Sequence, residues 1–502
     1  MPDLSGLDAS ARGLALRFWP AVAVGVTLAA VLGAFVALDP ASGVTFSGSP
    51  FSDEGWNALN SRNLVLLGTW STDAWQLQWV HLPYSALVAG AFWLFGVGII
   101  QVRLVSIVLV ALTAATLVAS LARPLGRTPA VVSGIAFAGN ALVLYYGRLG
   151  YLEDLAVAGL VAGAAFTLID GRAPVRSGFL GGLAFAIAIG TKQNAALAVV
   201  GCLLGALMAG AARDRDARTR IAATVATIAV AALAWLAIIA LPNLDAVVVD
   251  VRDILGSVDL PRSPRGIVTA VGAFVRGDDQ LARLIGPIAV TGAAAVVVIA
   301  ARWRSMSPER RRLAGAAIGW IVFGLGIMAV VRYHPNRYAV PVVPGFAILT
   351  GVGLAELVGW LLERDARPNR WRVARRLASP VIALAVLVPG VIAMSGWVAA
   401  GAATLPGLQQ AWAAEVPPGS AVAGGYAPIF LMSARVATIV TEAGPHPPNA
   451  GDLYASAGVR WYVGGEGALP EVARSHPAAW AARQRIRCDA WGSATVCLYR
   501  VP

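Results

Sequence analysis

Asp53 and Glu54 stand side by side in Ser52-Asp-Glu-Gly-Trp-Asn-Ala-Leu-Asn-Ser-Arg-Asn, the polar segment that follows the first long apolar run of this 502-residue chain. A carboxylate close to a hydroxyl can take its proton, and two carboxylates beside a bilayer are costly unless they are paired or used. Ser52 has the chemistry of an N-cap, and the two acids would fill a first helical turn. Trp56, Leu59, Leu64, Val65 and Leu67 give the following helix an apolar side. Acids in a first turn also favour the helix dipole, so position alone leaves a structural and a catalytic role open. Asp154, in Tyr145-Tyr-Gly-Arg148-Leu-Gly-Tyr-Leu-Glu-Asp154, falls near the membrane end of a helix and needs a partner or a function; Arg148 is the expected partner. Lys192, in Gly190-Thr-Lys-Gln-Asn194, is the single lysine of the chain. At the outer end of two spans it can hold a phosphate as a point charge, or snorkel without a role. The turn Arg332-Tyr333-His-Pro-Asn-Arg337-Tyr338, followed by Pro341 and Pro344, sets two arginines and two tyrosines where an anionic headgroup would fit, although interfacial aromatics and arginines are common.

The elements that must position these residues are membrane spans. Hydrophobic residues make up 58% of the chain and charged ones 13%. With a mean hydropathy of +0.69, no soluble globular domain of this size is compatible. Apolar runs of about 20 residues place eleven spans at 19–38, 104–121, 130–146, 152–169, 177–191, 194–210, 221–241, 284–301, 313–331, 339–361 and 379–400. Residues 84–100 form one more apolar piece that could cross or lie in the interface. Arginine decides. If 84–100 does not cross, 21 of the 39 basic residues, from Arg12 and Arg17 to Arg375 and Arg376, fall in six short segments on the cytoplasmic side. The expected order is then a cytoplasmic N-terminus over 1–18, a helical domain over 19–400 with outer loops 39–103 and 242–283, and an outer domain over 401–502. The net charge of +12 belongs to anionic membrane lipids, and no nucleic-acid motif accompanies it. The first apolar stretch is too long for a cleavable signal and acts as an anchor. An alanine- and arginine-rich composition suits a GC-rich bacterial genome, and hence a bacterial cytoplasmic membrane.

Past residue 400 the composition turns to Pro, Gly and short apolar runs. A small α/β domain is expected, with strands near Ser420–Ala423, Val436–Val440, Arg460–Val463 and Thr495–Tyr499 and a helical stretch over Leu469–Trp480. Cys202 sits mid-span as a small core residue. Cys488 and Cys497 flank a hairpin centred on Gly492, which admits a disulfide in an oxidising compartment or two free thiols in neighbouring strands.

In order along the chain, Asp53-Glu54, His81-Leu-Pro-Tyr84 before a short apolar helix, Arg103-Leu104 opening a span, Arg148 with Asp154, Thr191-Lys192, and Arg337-Tyr338-x-x-Pro341-x-x-Pro344 resemble the GT-C glycosyltransferases. The likeness covers roughly residues 15–360 and is greatest to the branch of protein O-mannosyltransferases and lipid A aminoarabinose transferases. This resemblance implies an α-helical polytopic GT-C-like fold that takes a sugar from a polyprenyl-phosphate donor and passes it to an extracytoplasmic acceptor, whether lipid, glycan or protein. Asp53 would be the general base or orient the acceptor, with Glu54 in the same motif and Asp154 as a second acid. Lys192, with Arg148, would face the carrier phosphate, and Arg332, Tyr333, Arg337 and Tyr338 would line the carrier or acceptor side. His81 stands where some relatives carry an acidic metal ligand, which leaves a divalent metal ion open.

The chemistry agrees. Inversion at an anomeric carbon needs a base at the acceptor and cations at the departing phosphate, and a phosphate-linked donor removes the need for nucleotide-binding fingerprints, none of which occur here. A transporter of lipid-linked sugars would show internal repeats and broken spans with charges at the midplane, whereas here the charges cluster at span ends. A non-catalytic accessory subunit is the other alternative, for which the outer acids would be structural.

Overall fold

Apolar runs that have no water to bond their backbone close their hydrogen bonds internally, and the first four-fifths of the chain is accordingly helical. The computed structural model describes residues 9–40, 53–71, 81–169, 171, 173–245, 247–248, 251, 263–269, 279–331, 335–363, 370–439, 453–456, 458–466 and 470–502. The helices are α1 (Ala9–Ala34), α2 (Asp53–Asn57), α3 (Leu59–Leu67), α4 (Leu82–Phe95), α5 (Ile99–Leu125), α6 (Arg127–Ala138), α7 (Ala141–Tyr146) and α8 (Leu152–Ala164). They are followed by α9 (Pro174–Thr191), α10 (Ala195–Met208), α11 (Arg215–Trp235), α12 (Asp279–Arg302), α13 (Pro308–Val330), a 3-10 turn Asn336–Val342 that feeds α14 (Val343–Glu363), and α15 (Arg370–Ala400). Ser52, Arg332 and Tyr333 lie outside the described residues.

Eight of the described stretches are long and apolar enough to cross a membrane, and Phe18–Ala34, Leu82–Phe95 and Ala195–Met208 are shorter apolar helices. The run 130–146, expected as one span, is instead two helices. The chain turns at Gly139 and Asn140, whose Oδ1 accepts from the Leu142 amide at 3.0 Å and so starts α7 afresh. Gly139 abuts Gly390 of α15, where a side chain would not fit. Helix α4, which takes up most of the segment 84–100, has 14 residues. Its length of about 21 Å is short of the ~30 Å hydrocarbon core.

Helices without a hydrophobic drive between them meet through small residues. Gly201 and Gly205 of α10 press on Gly319 and Gly315 of α13, so two runs of Gly-x-x-x-Gly cross in antiparallel contact with each glycine facing a partner's carbonyl. Gly178 and Gly182 of α9 face α11 in the same way.

Beyond α15 comes α16 (Leu405–Glu415) and a small domain with strands β1 (Ala421–Ala423), β2 (Ala437–Ile439), β3 (Trp461–Gly465), β4 (Gln484–Trp491) and β5 (Ala494–Arg500). They form one mixed sheet in the order β2-β1-β3-β5-β4, parallel among β2, β1 and β3 and antiparallel from β3 through β5 to β4. The helical stretch expected over 469–480 is two short pieces, Glu471–Ser475 and Pro477–Ala481, divided at His476 because Pro477 opens the second. Cys488 and Cys497 are opposite residues of β4 and β5 and are joined by a disulfide with their Cα atoms 4.1 Å apart. The hairpin turns at Gly492, whose φ of 59° favours glycine.

This domain is built into the helical part. At the end of the first span the Asp39 carboxylate accepts from the amides of Thr404 and Leu405, each at 3.1 Å, and so caps α16. Arg62 of α3, fully buried, donates to the carbonyls of Leu431 (3.0 Å), Met432 (2.9 Å), Ala434 (2.5 Å) and Val436 (2.9 Å). Trp56 donates to the Gly425 carbonyl at 2.9 Å. Tyr84, Phe92 and Val102 share a core with Trp412, Phe430 and Trp491.

Candidate active site

Neighbours on a helix point about 100° apart, so Asp53 and Glu54 of α2 go to different places. Glu54 turns inward. Arg103, near the start of α5, meets it with Nε at 2.8 Å and a terminal nitrogen at 2.7 Å, and the Gly150 amide donates to it at 2.9 Å. The remaining Arg103 nitrogen holds the carbonyls of Val36 and Leu38 at 2.8 and 2.9 Å. Glu54 is thus the pin that fixes α2 to the end of the bundle.

Asp53 faces the other way, and its Oδ2 lies 2.7 Å from a terminal nitrogen of Arg337. Arg337 sits in the 3-10 turn that leads into α14, and its Nε is 3.6 Å from Oε1 of Glu153. The same Glu153 oxygen is 2.9 Å from Nζ of Lys192. Lys192 follows the last residue of α9, where a cation is favoured by the helix dipole. Its ammonium lies 4.4 Å from the Tyr338 ring centre, and the Arg337 guanidinium lies 5.6 Å from Tyr151 and 5.4 Å from Tyr338. Acid, cation, acid, cation therefore run in one line, Asp53–Arg337–Glu153–Lys192, drawn from four separate parts of the chain. Burial raises the Asp53 pKa above the usual carboxylate range, working against the pull of Arg337 and Lys192.

The other sequence candidates fall around this line. His81 precedes α4, and its Nδ1–H donates to the Thr191 carbonyl at 2.7 Å. Burial, helped by the Lys192 charge, lowers its pKa to about 4, so the ring is neutral. Among the described residues no three His, Cys, Asp or Glu side chains converge as metal ligands, so the residues around His81 do not fit a metal centre. Arg148 does not pair with Asp154, as its sequence position suggested. Its two terminal nitrogens donate to the carbonyls of Leu38 (2.6 Å) and Asp39 (3.2 Å), where the backbone leaving α1 has lost its helical partners. Asp154 is fully buried beside Ser106, about 100° around α8 from Glu153, and neither of its oxygens has a hydrogen bond within normal geometry. Glu153, one residue earlier, takes the place in the cluster expected of Asp154. The sequence signal for Glu153 was the same Glu-Asp pair, but which member faces the cations depends on the azimuth of α8. Tyr151, the residue before α8, was also not singled out.

The sequence profile of the dolichyl-phosphate-mannose-protein mannosyltransferase family matches residues 82–238, the stretch that carries Arg103, Glu153 and Lys192. No curated protein matches the chain by sequence at significance. Among solved structures, ArnT from Cupriavidus metallidurans in the apo state superposes with a TM-score of 0.61 at 18% identity, covering 98% of each chain. The Archaeoglobus fulgidus oligosaccharyltransferase in the apo form gives 0.54 at 13% identity over 89% of this chain and 69% of its own. The arabinofuranosyltransferase AftD from Mycobacteria gives 0.55 at 15% identity over 97% of this chain and 40% of its own. The protein thus has the GT-C glycosyltransferase fold of a multi-span membrane protein, with a small C-terminal sheet domain. Within that fold it is similar over nearly its whole length to ArnT from Cupriavidus metallidurans.

Proposed function

We propose that this protein is an integral-membrane glycosyltransferase that moves a sugar from a polyprenyl-phosphate-linked donor to an acceptor outside the cytoplasmic membrane of a bacterium. The observation that carries this reading is that Asp53, a buried carboxylate with a raised pKa, stands 2.7 Å from Arg337 in one cluster with Lys192. A base for the acceptor and cations for the departing phosphate are the two requirements of the reaction, and both are within one site. The match to a mannosyltransferase family and a related fold solved with undecaprenyl phosphate bound, that of ArnT from Cupriavidus metallidurans, support the same donor class.

In this mechanism the donor phosphate competes with Asp53 for Arg337 and settles between Arg337 and Lys192. Asp53, released, accepts the proton of the acceptor hydroxyl. The acceptor oxygen attacks the anomeric carbon from the face opposite the phosphate; the new C–O bond forms as the bond to the phosphate oxygen breaks, and polyprenyl phosphate leaves with the electron pair. Glu153 acts on the cations, holding Arg337 and Lys192 at a spacing that like charges would not keep unaided. The Arg-rich span ends support a reading with the N-terminus inside and the C-terminal domain on the outer side with this site.

The test is release of free polyprenyl phosphate from synthetic polyprenyl-phosphate sugars by the purified protein. Asp53→Asn is expected to cut turnover by about 10²–10⁴-fold while the protein stays folded, because Arg337 keeps Glu153 at 3.6 Å. Turnover retained in that variant, or no release from any such donor, removes the reading.

A further inference from the structure

The end of the helical bundle away from Asp53 carries a second concentration of charge. Helix α5 runs from Arg103, which holds Glu54, to Leu125, and the two are about 33 Å apart along its axis, close to the ~30 Å hydrocarbon thickness. Leu125 therefore marks the opposite membrane surface. A cavity of about 430 Å³ opens there among the end of α5, the first turn of α6, the start of α13, the last turns of α14 and Ser379 in the first part of α15. Its walls are of two kinds. Leu125, Val358 and Leu362 make an apolar side, and Arg127, Thr128 and Arg310 make a polar one.

Arg310 is fixed in place. Its Nε donates to the Pro124 carbonyl at 2.8 Å and a terminal nitrogen pairs with Glu356 at 2.9 Å. Glu356 also faces Nε of Arg302 at 3.8 Å, and Arg302 binds Glu363 with two hydrogen bonds of 2.6 and 2.7 Å. Two arginines and two glutamates thus cancel. Arg127, exposed in the first turn of α6, stands outside these pairs. The amides of Arg127 and Thr128 precede the first hydrogen bond of α6, from Ala130 to Gly126, and add to the positive end.

We infer that this cavity seats an anionic phospholipid of the leaflet opposite the Asp53 cluster, its phosphate towards Arg127, Arg310 and the α6 N-terminus and an acyl chain along Leu125, Val358 and Leu362. A free phosphate would meet the polar side and leave the apolar one bare, and a choline headgroup would bring a second cation against Arg127. Basic pockets between spans on the arginine-rich side select anionic headgroups for this reason. The inference does not rest on the proposed sugar transfer.

Purified full-length protein in a zwitterionic detergent is titrated with dioctanoyl phosphatidylglycerol, dioctanoyl phosphatidylcholine or inorganic phosphate, and the bound molecules are counted by native mass spectrometry. One phosphatidylglycerol is expected to bind saturably and about tenfold more tightly than phosphatidylcholine. Arg127→Gln weakens it about fivefold. Gly359→Phe weakens it without changing charge, because a side chain at Gly359 enters open space beside the cavity. Arg218→Gln, an equal loss of charge on the neighbouring start of α11, leaves it unchanged. Binding that ignores both Arg127→Gln and Gly359→Phe, that falls equally with Arg218→Gln, or that is as tight for phosphatidylcholine overturns the inference. Phosphate that displaces the lipid at equal concentration assigns the cavity to the free anion and overturns it as well. Exposure of Arg127 and the free space at Gly359 keep both variants folded, which their melting temperatures check.

Discussion

Arg103 grips Glu54 through two hydrogen bonds of 2.7 and 2.8 Å, with both side chains fully out of solvent. The pair joins the short helix α2 to the span α5 and leaves the adjacent Asp53 free to face Arg337. Two neighbouring acids therefore face different partners, Glu54 meeting Arg103 and Asp53 meeting Arg337.

Removing one partner of a buried ion pair strands the other charge. Glu54→Gln is expected to lower stability by about 3–5 kcal/mol, more than Asp53→Asn, because Arg337 still faces Glu153 at 3.6 Å. Thermal melting of the two variants side by side decides it; equal melting temperatures would show that Glu54 does not pin α2.

The pH dependence follows from the raised Asp53 pKa. A general base works only when deprotonated, so kcat/KM falls as pH drops through the free-enzyme pKa of Asp53, at a midpoint above the ordinary carboxylate range. Arg337 lowers that pKa, and Arg337→Gln is expected to move the acid limb to higher pH. Profiles of kcat/KM for the two proteins are the measurement, and a limb that stays put or moves down would remove Asp53 as the base.

Lys192 places its ammonium 2.9 Å from Glu153 Oε1 and is suited to hold a phosphate. Lys192→Met is expected to reduce kcat/KM by about 10²-fold with a raised donor KM, and Lys192→Arg to recover part of it. Initial rates across donor concentration test this; unchanged kinetics in Lys192→Met would leave the ammonium a snorkelling charge.

Arg62 supplies four carbonyls of the segment 431–436 with donors. Arg62→Ala leaves them unpaired in a buried seam, at a cost of about 3 kcal/mol or more. Arg62→Lys is expected to restore little, because an ammonium cannot span the same fork. Limited proteolysis would show the C-terminal domain released from α3 in both variants; equal protection in the wild type and Arg62→Ala would mean that the seam is held elsewhere.

The membrane class, the helical runs and the α/β tail were legible in the chain because they depend on local sums: a span needs only enough consecutive apolar residues, and a strand only its short apolar run. The same locality explains the errors. Residues 130–146 have the composition of a span, and nothing local announces that Asn140 would cap a new helix or that Gly139 would meet Gly390. The short strand content around Cys488 became β4 only because β5 lies beside it.

Sequence by itself determined that acids near residues 53 and 154, one lysine at 192 and an arginine at 337 stood at span ends, since burying such groups mid-span is too costly to leave unexplained. Tertiary structure alone decided which of them meet. A helix turns successive side chains by about 100°, so Glu153 rather than Asp154 reaches Lys192, and Glu54 rather than Asp53 reaches Arg103. Arg148 found backbone carbonyls, not the acid six residues on, because the end of α1 comes to it from 110 residues away. Those choices are made by the packing of distant elements, which no stretch of the chain contains.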